Sequence, residues 1–391
     1  MSDKFSFIKE ETRKRCNVFE LDEKTSGRFT RISTELFHFL YETKSIDFTI
    51  YFRIENVMIE FIKKEEFSEE LLNSIWTAVE KSSKRIEICL LKKEKPLFDA
   101  LVSKVRKAKM DKVFEIDSNL DRRTMEMFSN LSDASQLVVK GGITHQVAKQ
   151  IQESATFVVK NMLEHESAIS TLSKMVLHDP TLYDHSASVA MLSAVIAKGC
   201  VDKKLSDKEV GQLTQCGLYH DVGKTCVPSK ILNKPGKFTP EEYEVMKKHA
   251  EWGEEELRKV IQNGAPIDEM AAHVAGEHHE RFCGHGYPKG LKGRAEEVDG
   301  GIHLYTRIVS IADVYSALLM KRVYKPAFEA QDAIKIMAKT ADVDYDPVIF
   351  GNFLQSVVNS RNQYQEKSSG SGRILTFDEN GKLQENAKKV V

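Results

Sequence analysis

The spacing of apolar residues differs between the first third of the chain and the rest. Residues 46–62 (IDFTIYFRIENVMIEFI) are rich in β-branched and aromatic residues, and a polar break at Glu55-Asn56 predicts two strands joined by a short turn. Residues 85–91 predict another strand, and residues 96–107 predict an amphipathic helix. Because strand and helix patterns alternate, we expect residues 1–140 to form a small α/β domain, and we interpret it as a regulatory or interaction domain.

From Gly141-Gly142 onwards the apolar spacing is helical. Residues 144–177 contain neither proline nor glycine, which predicts one long connecting helix. The pattern stays helical to about residue 363, so the second domain is expected to be all-α, and a glycine-serine stretch then precedes a short tail that predicts a hairpin around Glu379-Asn380-Gly381. The predicted class is α+β overall. The predicted parts are an N-terminal domain (1–140), a connecting helix (141–178), a C-terminal helical bundle (179–366) and a flexible tail (367–391).

Composition narrows the classes of protein that remain. With 41% hydrophobic and 29% charged residues among 391, the chain has the composition of a globular protein rather than a disordered or fibrous one. The net charge of -1 provides no global attraction for a nucleic acid polymer or an anionic membrane. The start of the chain has no apolar core of the kind found in signal peptides, and no run reaches about 18 apolar residues, so we expect a cytoplasmic protein without a membrane segment.

Histidine is the first residue type that points to chemistry. Of 12 histidines, 9 lie between His178 and His303, and the six cysteines include no Cys-x-x-Cys pair, which argues against thiolate zinc. A His-Asp doublet alone is a weak signal, but here it accompanies further candidate ligands on separate predicted helices. Five imidazoles and two carboxylates are typical of a site for two hard or borderline metals such as iron or manganese. These residues are His185, His220, Asp221, His249, His278, His279 and Asp313.

The second histidine doublet begins a long motif. Residues 278–293 read HHERFCGHGYPKGLKG and include Gly286-Tyr287-Pro288. This motif resembles that of the HD-GYP family, a branch of the HD metal-dependent phosphohydrolases, and the resemblance covers roughly residues 179–360. It implies a helical bundle that holds a bimetallic or trimetallic centre. It also implies hydrolysis of cyclic di-GMP or a related cyclic dinucleotide by a metal-activated water, with linear pGpG, GMP or both as products.

Carried over residue by residue, the resemblance gives each candidate a role. The family's metal ligands fall on all seven residues named above, with Asp221 as the bridge between two metals. The family's phosphate-holding lysine matches Lys224, which together with Asp221 is expected to serve catalysis. Substrate contacts are expected from Lys224, from Tyr287, and from the basic pair Arg322 and Lys325, whose spacing of three places both cations on one helical face.

Three departures from the family pattern affect the expected centre. Cys283 stands where the family usually has an aspartate, and the stretch 293–307 is longer than usual. Family members with three metals carry a glutamate shortly before the first histidine, whereas residues 179–184 (DPTLYD) contain none. Asp184 is adjacent to His185 and would point about 100° away from it on a helix. We therefore predict two divalent metals.

The sequence is compatible with two main classes of function. The first is a cyclic-dinucleotide phosphodiesterase controlled by its N-terminal domain. The second is a weakly active or inactive adaptor that uses the Gly-Tyr-Pro loop to bind a diguanylate cyclase or another partner, and a different nucleotide substrate is a third reading. The connecting helix would also allow a homodimer. Turnover of cyclic di-GMP by metal-loaded protein separates the enzyme from the adaptor.

Overall fold

The structure is a computed structural model, and it divides into two compact units. It describes residues 16–32, 39–74, 86–162, 165–178, 184–232, 234, 236–293, 300–320, 328–368, 373–377 and 383–387. The first unit comprises residues 1–109 and the second comprises residues 110–391. The division therefore falls within a helix rather than at Gly141-Gly142, where the glycine pair predicted it.

The first unit contains a five-stranded sheet in which residues 17–20, 57–62, 50–54, 87–91 and 29–31 lie side by side in that order. The predicted pair of strands forms an antiparallel hairpin whose turn is Glu55-Asn56, with Glu55 at a φ of 56°. The strand predicted at 85–91 pairs antiparallel with the first strand of this hairpin. The five strands are β1 (Asn17–Glu20), β2 (Phe29–Arg31), β3 (Ile50–Ile54), β4 (Val57–Ile62) and β5 (Glu87–Leu91).

The described strands of this unit pair only antiparallel, so its organisation is α+β rather than the predicted α/β. A parallel sheet needs long crossover connections, whereas β3 and β4 are joined by two residues. A short helix α1 (Glu23–Ser26) separates β1 from β2, and α2 (Lys95–Ile116) follows β5. The core forms between α2 and one face of the sheet, and the ring of Phe98 on this helix packs edge-on against Phe48.

The second unit is a helical bundle followed by a separate two-stranded sheet. Its C-terminal strands pair antiparallel as the predicted hairpin, and the turn residues between them lie outside the described part. The helices are α3 (Arg122–Gly141), α4 (His145–Asn161), α5 (His165–His178), α6 (His185–Gly199), α7 (Asp207–Tyr219), α8 (Ser229–Leu232), α9 (Pro240–Lys247), α10 (His249–Gln262), α11 (Glu269–Glu277), α12 (Leu304–Leu319), α13 (Ala330–Met337), α14 (Ala341–Asp344) and α15 (Pro347–Ser368), and the strands are β6 (Arg373–Phe377) and β7 (Leu383–Ala387).

The predicted long connecting helix differs from the structure. Two helices, α4 and α5, occupy this stretch, and Met162 leaves the helical conformation with φ -74° and ψ 104°. Their apolar residues, such as Val158 and Leu172, are buried in the same core as the rest of the bundle. Helix α3, assigned above to the N-terminal domain, contributes Phe128 and Leu131 to that core as well. These helices are therefore parts of the bundle rather than a linker.

Helices α6 and α12 lie at the centre of this core. Every residue of α6 from Ala187 to Ala197 is buried, and α12 is buried along almost its whole length. A helix that is apolar on all sides is stable only in the interior, which is why these two sequences form the central layer. The same two helices carry His185 and Asp313, so the candidate ligands rest on the most rigidly packed part of the unit.

Candidate metal centre

The seven candidate ligands converge on one site, and helix ends position most of them. His185 is the first residue of α6, and the doublet His220-Asp221 directly follows α7. His249 begins α10, the doublet His278-His279 directly follows α11, and Asp313 projects from the middle of α12. Helix ends suit this task because their last carbonyl groups have no partner within the helix and can accept hydrogen bonds from side chains.

Carbonyl groups near the helix ends orient three of the imidazoles. In each case Nδ1–H donates to a carbonyl oxygen three residues upstream, which leaves Nε2 unprotonated and turned towards the centre. His185 is oriented differently, since its Nδ1 lies 2.9 Å from the hydroxyl of Ser316 on α12. The three carbonyl contacts are Gly217 to His220 at 2.8 Å, Met246 to His249 at 2.7 Å and Ala275 to His278 at 2.9 Å.

Asp221 lies between two sets of imidazoles. Its Oδ1 is 3.4 Å from Nε2 of His249 and 3.8 Å from Nε2 of His278. Its Oδ2 is 3.3 Å from Nε2 of His220 and 3.7 Å from Nε2 of His185. Each carboxylate oxygen thus faces a different set, which is the arrangement that a bridging carboxylate needs.

Two groups of donor atoms stand on either side of this carboxylate. In the first, Nε2 of His249 lies 3.3 Å from that of His278 and 3.1 Å from that of His279. In the second, Nε2 of His185 lies 3.1 Å from Oδ1 of Asp313. Within each group all donor atoms lie within 4.8 Å of one another, and the groups are His249, His278, His279 and His185, His220, Asp313. A third group with the same property, His220, Asp221 and His278, connects these two through the carboxylate.

The protonation states favour metal binding. Burial lowers the pKa of His279 to about 4, and it also lowers the pKa of His249 and of His278. Burial alone would raise the pKa of Asp313, but the hydrogen bond from His185 and the neighbouring imidazoles prevail and lower it. Neutral imidazoles and an ionised carboxylate near pH 7 are the forms that bind metals.

Buried polar atoms without a hydrogen-bond partner also indicate whether the site suits a cation. Nε2 of His220 and Oδ1 of Asp221 are buried, and neither has a hydrogen-bond partner among the described residues. Burial opposes a charge on His220, yet the charges of Asp221 and Asp313 raise its pKa, which reflects an excess of negative charge. Unsatisfied buried polar groups are costly, and divalent cations would satisfy both atoms and the charge.

The other predicted site residues differ in how far the structure locates them. Lys224 contacts Oδ2 of Asp221 through its ammonium group, and 38% of its side chain is exposed. Tyr287 stacks on the ring of His279, with centroids 4.7 Å apart and an angle of 26°. Burial raises the pKa of Tyr287, so its hydroxyl stays protonated. Arg322 and Lys325 lie outside the described residues.

Sequence reasoning missed the residue that holds the Gly-Tyr-Pro loop. Glu280 is 3% exposed, and its carboxylate accepts hydrogen bonds from three consecutive backbone N–H groups. Oε1 accepts from Lys289 at 2.7 Å and from Gly290 at 3.1 Å, while Oε2 accepts from Leu291 at 2.9 Å. The available signal was an acidic residue directly after the histidine doublet and before a glycine-rich loop, whose backbone N–H groups need acceptors.

The departures noted in the sequence lie next to this loop. The backbone N–H of partly buried Cys283 donates to the carbonyl of Val343 at 2.9 Å, which ties the start of the loop to α14. The middle of the stretch 293–307 lies outside the described residues, as do residues 179–183. Asp184 caps α6 through Ala187 N–H at 2.9 Å, and it also accepts from Ser132 and Gln136, so its carboxylate is engaged away from the centre.

Part of this chain is similar to proteins of known family. Residues 164–349 match the HD domain family. A cyclic di-GMP phosphodiesterase from Pseudomonas aeruginosa is 35% identical over 197 residues, which are 50% of this chain and 44% of that protein. A 3'3'-cGAMP-specific phosphodiesterase from Vibrio cholerae is 33% identical over 186 residues, which are 47% of this chain and 37% of that protein. The chain thus spans about half the length, or less, of these curated relatives.

One solved structure is similar over most of the chain. It is an HDG"Y"P protein from Bdellovibrio bacteriovorus, with a TM-score of 0.51 and 18% identity over 85% of this chain and 99% of that one. At this identity the likeness concerns the fold alone. Residues 164–349 thus match the HD domain family, and the motif at residues 278–293 resembles that of its HD-GYP branch. Among the described helices, none is long and apolar enough to cross a membrane.

Proposed function

We propose that this protein is a metal-dependent phosphodiesterase that hydrolyses cyclic di-GMP or a related cyclic dinucleotide. The observation that carries the proposal is the position of Asp221, whose two carboxylate oxygens lie nearest to two different pairs of imidazoles. Two divalent ions, iron or manganese, suit a donor set of imidazoles and carboxylates without cysteine. All seven predicted ligands would hold them.

The chain's own residues have defined parts in this chemistry. Two bound metals would lower the pKa of a water so that it can lose its proton and act as the nucleophile near neutral pH, and they would neutralise charge on the phosphate oxygens. Asp221 would contribute one carboxylate oxygen to each group of ligands. Lys224 lies beside Asp221 and is partly exposed, so its ammonium group can donate a hydrogen bond to a non-bridging phosphate oxygen of the substrate. Tyr287 borders the centre next to His279 with a protonated hydroxyl.

The proposed substrate class rests on the named activities of the curated relatives. The curated relatives named above act on cyclic di-GMP and on 3'3'-cGAMP, and both molecules contain guanine. Attack by water on one diester of cyclic di-GMP gives linear pGpG, and attack on the second gives GMP. Either product is compatible with a centre that handles one phosphodiester at a time.

The test is turnover by protein purified without oxygen and loaded with iron or manganese. We expect the protein to convert cyclic di-GMP to pGpG or GMP, and we expect Asp221→Asn, which keeps the size of the side chain, to lose this activity. Asp202→Asn removes an exposed carboxylate and is the matched control, which should behave like wild type. Undiminished turnover by Asp221→Asn at full metal content would refute the proposed centre.

A further inference from the structure

Three side chains form a cluster at the edge of the metal centre, and we call it the rim cluster: Tyr243, Lys247 and Tyr287. Tyr243 and Lys247 lie one turn apart on α9 and therefore share a face. The ammonium group of Lys247 is 5.5 Å from the ring centroid of Tyr243 and 5.7 Å from that of Tyr287. The cation thus lies near two aromatic rings from different parts of the chain.

The rim cluster borders the candidate ligands directly. Tyr287 stacks on His279 from one side. Met246, the residue before Lys247, provides the carbonyl oxygen that accepts from Nδ1 of His249 at 2.7 Å. A substrate with its phosphodiester at the metal centre would therefore have the rim cluster within reach of its bases.

Packing does not account for the exposed part of this cluster. No residue of α9 is buried, and 49% of Tyr243 is exposed. The ion pair of Lys247 with Glu244, at 2.7 Å, involves a carboxylate whose side chain is 66% exposed, and such pairs contribute little to stability. An exposed aromatic ring beside a cation, next to a catalytic centre, is instead typical of a surface that binds nucleobases.

We propose that Tyr243 and Lys247 bind a purine base of the substrate and that Lys247 favours guanine over adenine. The proposal rests on the proposed function and adds a base-binding subsite to it. A purine of either kind can stack on the open ring of Tyr243. Guanine presents two acceptors, O6 and N7, to a lysine ammonium group, whereas adenine presents an amino donor in place of O6. The selectivity therefore comes from Lys247 and the stacking from Tyr243.

Three substrates separate the roles of these residues: cyclic di-GMP, cyclic di-AMP and bis(p-nitrophenyl) phosphate, a diester without a base. Lys247→Met should lower the ratio of kcat/KM for cyclic di-GMP over cyclic di-AMP about tenfold, as expected for the loss of one hydrogen bond to a charged group. Tyr243→Leu should lower kcat/KM for both cyclic dinucleotides relative to the base-free diester. Tyr243→Phe keeps an aromatic ring and should have the same kcat/KM values as wild type. Lys248→Met removes the adjacent exposed lysine and is the control.

A second readout does not depend on turnover. Calorimetric titration should show that wild type binds GMP more tightly than AMP and that Lys247→Met loses this preference. An equal loss on all three substrates, or an unchanged guanine-to-adenine ratio in Lys247→Met, would overturn the subsite. If wild type turns over no cyclic dinucleotide, the proposed function fails, while equal affinities of wild type for GMP and AMP would refute the subsite itself.

Discussion

Replacing Glu280 by glutamine should loosen the Gly-Tyr-Pro loop without removing any candidate ligand. The carboxylate accepts three backbone hydrogen bonds, at 2.7, 3.1 and 2.9 Å. The amide of glutamine keeps one acceptor oxygen for Lys289 and Gly290, but its NH₂ group would face the N–H of Leu291, donor against donor. Losing one hydrogen bond to a charged group costs about 2 kcal/mol. The opening equilibrium of the loop then shifts roughly thirtyfold, and amide exchange that reports this equilibrium becomes faster by the same factor.

Hydrogen exchange read by mass spectrometry on peptides that cover residues 284–292 measures this effect. Glu255→Gln changes an exposed glutamate in the same way and should leave exchange unchanged. Because Tyr287 stacks on His279, we also expect slower turnover of cyclic di-GMP by Glu280→Gln at an unchanged metal content. Wild-type exchange rates across this loop in Glu280→Gln would show that the three hydrogen bonds do not hold it, and the reasoning would be refuted.

Further predictions concern the centre and the phosphate contacts. Asp221→Ala should abolish metal-dependent hydrolysis with an unchanged circular dichroism spectrum, since it removes the bridging carboxylate without opening a large apolar cavity; retained turnover at full metal content would contradict this. Lys224→Ala should raise KM about tenfold or more through the loss of a charge-assisted contact, and a wild-type KM would exclude that contact. The double variant Arg322→Ala, Lys325→Ala should also raise KM, and its steady-state kinetics test the role expected from the sequence. Elemental analysis of protein purified without oxygen should give two metals per chain, and three fully occupied positions in anomalous maps would show that another residue replaces the missing glutamate.

The residues that converge at the candidate centre could be predicted from the sequence because they sit in short motifs whose residue types are restricted by chemistry. Spacing alone could not reveal that His220, His249 and His278 are each oriented by a carbonyl three residues upstream, since this depends on where each helix ends. The loop-holding role of Glu280 was missed for a similar reason. An acidic residue in a motif carries no sign of burial until the loop is seen to fold around it.

The apolar periodicity predicted one helix in the middle of the chain, where the structure has two. Residues 144–177 have helical spacing throughout, yet the helix ends at Met162 without a proline or glycine to mark the end. Tertiary packing decides this break, because both resulting helices bury their apolar faces in the bundle core. The strands Asn17–Glu20 and Phe29–Arg31 escaped prediction because they are short edge strands, and the first of them is exposed along its whole length.

The central claim is that this chain hydrolyses a cyclic dinucleotide at the centre built around Asp221. The most direct measurement is chromatographic analysis of cyclic di-GMP after incubation with metal-loaded protein, beside metal-free protein and metal-loaded Asp221→Asn. We predict pGpG or GMP from the metal-loaded wild type alone. Intact cyclic di-GMP after prolonged incubation with fully metal-loaded wild type, or equal product from Asp221→Asn, would contradict the claim.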